Sequence, residues 1–164
     1  MKGALLVLAI LSNFAHAQGS PPVSSRFRLE GATAVDQQTG LRWQRCSVGQ
    51  VFQANNSCQG NPKKVNFMQA QKVSNFTVQR GGFWRVPTKN ELASLVDSTN
   101  EKIEIDTLVV PDASVKNRFY WSCDLYADGA AWYADFVSGD VGFVSGDHAS
   151  ADDLLAVRLV HVEW

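Results

Sequence analysis

Apolar residues recur along this chain at two spacings, and each spacing predicts its own kind of element. In "RFRLEGATAVDQQTGLRWQR" they alternate with polar ones on both sides of "DQQTG". This predicts two short strands, Arg28 to Ala34 and Leu41 to Arg45, around a turn. In "KVNFMQAQKVSNFTV" the spacing widens: Phe67, Ala70, Val73 and Phe76 fall at three-residue steps, the mark of an amphipathic helix. "AWYADFV" and "VGFVS" return to alternation and predict two strands joined by a Ser-Gly-Asp turn. The pentapeptide Phe-Val-Ser-Gly-Asp occurs twice there, at 136–140 and 143–147.

Between these patterns lies "GGFWRVPTKNEL", residues 81–92. Thr88 and Glu91 form a capping box: the threonine oxygen accepts from the third helical N–H, and the glutamate reaches back to the cap's own N–H. Leu92, Leu95 and Val96 then supply the apolar face of a short helix, "KNELASLVD". Pro87 presets the approach, and Gly81-Gly82 let the chain turn before Trp84. Trp84 is expected in the core and Arg85 as a structural hydrogen-bonder.

The first apolar run has a different meaning. Lys2, the stretch Ala4 to Leu11, and Ala15 and Ala17 in A-x-A spacing read as a secretory signal peptide over residues 1–17, cut before Gln18. The run is far shorter than the ~20 residues a membrane span needs, and no later stretch is apolar enough to serve. Residues 18–28, rich in Gly, Pro and Ser, read as a loose mature N-terminus, followed by one domain over 29–164. The expected location is the periplasm or the medium, and two sequons, Asn55 and Asn75, matter only in a glycosylating host.

Cysteine usage fits export. Cys46 and Cys58 are spaced to close a disulfide across a short loop, and two thiols without a nearby histidine make a poor zinc site. Cys123 is left over and reads as a buried thiol before it reads as a nucleophile. Net charge is −1, but from Gln18 to Val96 ten Lys and Arg face three Asp and Glu. From Asp97 to Asp153 the balance reverses, with twelve acidic residues against three basic. The halves either form a bipolar surface or interleave and mix their charges, and interleaving is the simpler expectation. No basic run is interleaved with aromatics, so nucleic acid is not an expected partner.

Candidate chemistry is sparse. His148 and His161 sit in no catalytic motif, and the chain contains no G-x-S-x-G, no H-E-x-x-H and no phosphate-cradling glycine loop. No catalytic residue, cofactor or metal is therefore expected. Calcium is the one ion to weigh, because Asp135, Asp140, Asp147, Asp152 and Asp153 offer hard oxygens. Their spacing is not that of an EF-hand, and hairpin turns explain them first.

The motifs also have a collective likeness. "WRVPTKNEL" resembles the W-R-L-P-T-x-x-E-L signature of the Lcl C-terminal (Lcl_C) domain family, a family of unknown function. "DQQTGLRWQRC" resembles its opening, with Asp36, Thr39, Gly40, Leu41, Trp43 and Cys46 in place. "SCQG" matches its second cysteine, "FMQA" its Trp-x-x-Ala, "FYWSC" its Y-W-S-S and "AVRLVH" its closing V-R-L-V-R. The departures are Phe67 for Trp, Val86 for Leu, Cys123 for Ser and His161 for Arg.

The resemblance implies an α+β, C-type-lectin-like fold: two helices flanking a twisted, mainly antiparallel sheet, with a loop-rich second half. Relatives in that wider fold include glycan-binding adhesins, receptor-binding proteins and formylglycine-generating enzymes, so fold does not settle function. The leading expectation is an exported, non-catalytic, adhesin-like module that attaches to a glycan or protein surface. An inhibitor or immunity-type partner of a secreted protein is the alternative, and an oxidase using Cys123 is the third. The expected ligand-binding residues are Tyr126, Asp128, Trp132, Asp147 and His148 in the second-half loops. A competing anionic-glycan patch comprises Arg42, Arg45, Lys63 and Lys64.

Overall fold

A computed structural model describes residues 23–74, 78–79, 82–97, 104–114, 116–144 and 154–163. The expected leader, the Asn75 sequon, Phe76, Asp147, His148, Asp152 and Asp153 lie outside the described residues.

A short helix, α1 (Val23–Arg26), leads into strands β1 (Phe27–Glu30), β2 (Thr33–Asp36) and β3 (Arg42–Gln44). The loose N-terminal segment expected over 18–28 thus already contains α1 and the first residues of β1. The strand expected over Arg28 to Ala34 is in fact two. Gly31, at φ 57°, reverses the chain so that Glu30 pairs with Thr33. Glycine at the first central position of a two-residue hairpin is what permits this.

The "DQQTG" turn forms as expected. Gly40, at φ 75°, donates its N–H to the Asp36 carbonyl at 2.8 Å, and the Asp36 carboxylate collects Gln38 N–H, the Thr39 hydroxyl and the Arg26 guanidinium. One aspartate thereby holds the turn and ties α1 to it.

A small hairpin follows, β4 (Val51–Phe52) with β5 (Cys58–Gln59), clasped by the Cys46–Cys58 disulfide. Helix α2 (Phe67–Ser74) comes next and buries Phe67 and Ala70, two of the positions its period predicts. Its start carries a second reciprocal cap: Gln69 N–H donates to Asn66 Oδ1 at 2.9 Å, and Asn66 N–H to Gln69 Oε1 at 3.2 Å.

Strands β6 (Val78–Gln79) and β7 (Gly82–Arg85) lead to α3 (Lys89–Ala93), and β8 (Val96–Asp97) pairs with β9 (Glu104–Ile105). The helix expected over 89–97 is therefore half that length. Its last turn tightens, with Leu95 N–H bonding Leu92 O at 3.0 Å and the Ser94 hydroxyl bonding Glu91 O at 2.7 Å. Val96 then leaves to pair with Ile105. Local back-bonding by serine competes with helix continuation in this way.

The remaining strands are β10 (Phe119–Leu125), β11 (Ala131–Asp135), β12 (Val141–Val144) and β13 (Val160–Glu163). The larger sheet runs β1-β2-β3-β13-β7-β6, so the last strand of the chain occupies a central place. The second sheet, β10-β11-β12, lies between two cores. Tyr120, Ala134 and Phe136 join Trp43, Leu92 and Val160 in one, while Trp121 and Ala131 join Phe67, Trp84 and Leu159 in the other. Helix α2 packs on β7 and β10, and α3 on β10 and β11. The architecture is α+β with antiparallel pairing within both sheets.

The closing segment is the seam between these parts. Leu155 bonds Val65, Ala156 bonds Phe119 and Trp121, Val157 O accepts from Val48 N–H and Leu159 O from Gln44 N–H, all at 2.8–3.1 Å. Arg158, on that seam, is fully buried. It pairs with Asp112 and donates to the carbonyls of Gln44 and Arg45. Burial opposes its charge, but Asp112 and Tyr120 outweigh that and hold the guanidinium above its ordinary value.

Candidate functional site

The opening of the second sheet builds the candidate site. Between Trp121 and Leu125 the β10–β11 register slips, since these residues face Tyr133 and Ala131. The extra residues of β10 bulge toward α3. There Cys123 N–H reaches Pro87 O at 2.8 Å, and the Asp124 carboxylate accepts from Lys89 N–H at 2.5 Å. Bulges re-aim side chains beside functional sites. A single 3-10 turn, Ala127–Gly129, then carries the chain across to β11, closed by Tyr126 N–H on Ala130 O at 2.6 Å.

This geometry brings three rings together. Tyr126 stacks on Phe143 with centroids 4.5 Å apart, and Trp132 meets both edge-on at 5.2 and 5.4 Å. The Lys89 ammonium lies 3.8 Å from the Trp132 ring centroid, a cation–π contact. Tyr126 and Phe143 remain 46% and 45% exposed, so the cluster is a surface feature and not an extension of the core.

Of the residues expected to bind ligand, the structure thus joins Tyr126 and Trp132. Asp128 lies on the 3-10 turn beside them. Phe143 and Lys89 were not expected. Phe143 faces Trp132 across the hairpin because the connection is the five residues Phe136–Asp140, longer than the Ser-Gly-Asp turn expected. Register follows loop length, and a shorter loop would have put another residue opposite Trp132.

Asp135, the last residue before that connection, is occupied by the fold. The Asp135 carboxylate takes the Arg118 guanidinium, Val137 N–H at 2.9 Å and the Ser138 hydroxyl at 2.9 Å. Burial alone would raise this carboxyl, yet these donors hold it below the ordinary range. Among the described residues no cluster of three metal-ligating side chains occurs.

The competing cationic patch is not assembled as expected. Arg45 is 1% exposed, donates to Leu108 O, Gly31 O and Asn56 Oδ1, and packs over Phe52. It is a structural cation. Arg42 is paired with Glu30 on the larger sheet. Lys63 and Lys64 are exposed, and Lys63 joins Lys72 around a hollow of about 270 Å³.

Apart from Lys89, the described residues of the stretch that leads into α3 are structural. Arg85 forks onto Glu91 at 2.6 and 2.8 Å, while Glu91 also accepts Thr88 N–H at 2.7 Å and completes the capping box. Burial works against the Glu91 charge, but these donors hold its carboxyl low. Trp84 is core. Cys123 is a free, half-buried thiol whose pKa burial pushes up, with Asp124 adding to the effect.

No curated protein and no solved structure matches the chain. The family model described as the Lcl C-terminal domain matches residues 32–161, from the turn before β2 to the middle of β13. With well over half of its length inside that match, the chain belongs to the Lcl C-terminal domain family.

Proposed function

We propose that this protein is an exported, non-catalytic binding module of C-type-lectin-like fold. It attaches to a glycan or protein surface through Tyr126, Trp132 and Phe143, with Asp128, Asp147 and His148 completing the ligand contacts. The observation that carries this reading is the exposed ring cluster with Lys89 against it. Stacked, amphipathic rings offer a rigid contact area for the apolar face of a sugar or for a protein hot spot, at low cost in side-chain entropy. Export rests on the leader and the disulfide. A thiol whose pKa is raised is a poor nucleophile at neutral pH, which speaks against chemistry at Cys123.

The test is binding of the labelled protein to a glycan array and to native cell surfaces. Replacing Tyr126 and Phe143 together by alanine should weaken binding by about tenfold or more, while the melting temperature holds. Unchanged binding with both rings gone would sink the proposal. A second reading has the hollow between Lys63 and Lys72 in its favour, as a seat for sulfated glycan. Binding there would fall steeply with added salt and respond to charge reversal at the lysines, whereas the ring cluster would show little salt dependence.

A further inference from the structure

We propose that Lys89 sets the specificity of the ring cluster, selecting a sugar residue that carries one negative charge. The inference rests on that cluster being the binding site.

The cluster closes some ring faces and leaves others open. Tyr126 and Phe143 cover one face of each other at 4.5 Å, and the Lys89 ammonium lies 3.8 Å from the Trp132 centroid. A guest is left the outer faces of Tyr126 and Phe143, both exposed residues. The apolar face of a sugar ring stacks on such a surface.

The ammonium beside these rings lacks a counter-charge. The described arginines are matched to carboxylates or to backbone carbonyls. Lys89 is not: among the described residues its ammonium makes no hydrogen bond and no ion pair. The Asp124 carboxylate is engaged with the backbone N–H of Lys89 at 2.5 Å. Nor is the ammonium enclosed: the buried side-chain atoms without a partner include Trp84 Nε1 and His161 Nδ1 but not Lys89 Nζ. A ring face attracts a cation without replacing an acceptor, so the ammonium's three donors stay available to a guest.

Its place is set before a guest arrives. The Asp124 bond and the Thr88 cap hold the start of α3, and the Trp132 ring holds the ammonium. Such restraint lowers the entropy lost on binding. Trp132 meets Tyr126 and Phe143 edge-on at 5.2 and 5.4 Å, so the ammonium stands one ring away from both stacking faces. A lysine is a point charge, and a carboxylate or a sulfate on the sugar serves alike. A polyanion does not, because Asp124 adjoins Lys89, Asp128 lies on the turn, and both repel further negative charge. Lysine is depleted at protein–protein interfaces, which favours a sugar over an acidic protein partner.

The experiment is a two-dimensional NMR titration of the purified protein at low salt with glucuronic acid, glucose 6-sulfate and glucose. Saturable shifts are expected at the Tyr126 and Phe143 amides with all three, and the two anions should bind about fivefold more tightly than glucose. A single charge keeps the salt response shallow. Lys89→Met should weaken the anions by about fivefold and glucose by much less, while Lys89→Arg should keep the preference. Melting temperatures of both variants establish that they fold. Equal wild-type affinity for glucose and the anions would overturn the inference, and so would a preference that survives Lys89→Met or an equal loss for all three sugars. In each of those cases Tyr126 and Phe143 still shift, and the ring cluster stands as the binding site. If no sugar moves either amide, the ring-cluster reading fails and this inference with it. A glutamate-rich peptide that moves the same amides as strongly, in a Lys89-dependent way, would overturn the choice of a sugar.

Discussion

At the scale of single residues, the buried Arg158–Asp112 pair sets the largest expectation. Arg158 is fully buried and bonded to two backbone carbonyls as well as to Asp112. Arg158→Ala should cost about 3–5 kcal/mol, because Asp112 is then a buried carboxylate without its cation. Replacing both, as Arg158→Met with Asp112→Leu, should recover much of that loss in urea melts, since apolar side chains need no counter-charge. The cap of α3 is a smaller case. Thr88 accepts Glu91 N–H at 3.2 Å, and Thr88→Ala should cost roughly 0.5–2 kcal/mol of unfolding free energy.

At the scale of elements, the disulfide loop and the second hairpin contrast. Cys46 and Cys58 lie 12 positions apart and are bonded. Replacing both by serine should lower stability by roughly 3 kcal/mol through the loop-closure entropy of the unfolded chain. Guanidinium unfolding of the double variant against the parent measures it, and a difference near zero would mean that β4–β5 holds the loop unaided. The hairpin β11–β12 is held instead by its turn. Asp135 O accepts Gly139 N–H at 2.8 Å, and its carboxylate gathers Arg118 and Ser138. That one residue sets the register that puts Phe143 opposite Trp132.

At the scale of the whole molecule, acid acts on several ties of the fold at once. Asp36, Glu91 and Asp135 each tie separate segments together, and although burial would raise them, their donors hold all three below ordinary carboxylate values. A carboxyl with a depressed folded pKa contributes stability above its unfolded value, and loses it as pH falls through the folded value. Stability should therefore be flat near neutrality and decline as pH drops below about 4. Thermal melts from pH 7 to pH 2 check this, and Asp36→Asn should flatten the decline. These ion pairs each lie within one half of the chain, yet the halves themselves interleave: β10, from the acidic half, packs on α2 and α3 from the basic half.

What the sequence by itself determined is whatever depends on near neighbours. The capping box at Thr88, the amphipathic period of α2, the Asp36 turn and the near cysteine pair are local, and each forms. The cap at Asn66 and Gln69 was equally legible from its spacing. The family too could be read from its motifs, because they are spread along the chain in order. Tertiary structure decided the rest. The pentapeptide Phe-Val-Ser-Gly-Asp shows why. At 136–140 it is a turn, and its phenylalanine is 2% exposed, stacked on Tyr120. At 143 the same word begins on β12, and its phenylalanine is 45% exposed, stacked on Tyr126. Identical local propensity gave opposite burial, since burial is set by what packs across the sheet. Arg45 is the matching case among charges. Its neighbours in sequence suggest a surface cation, but carbonyls from Gly31 and Leu108, distant along the chain, draw it inside. Hydrogen bonds to such remote partners are a property of the fold, and no window of sequence contains them.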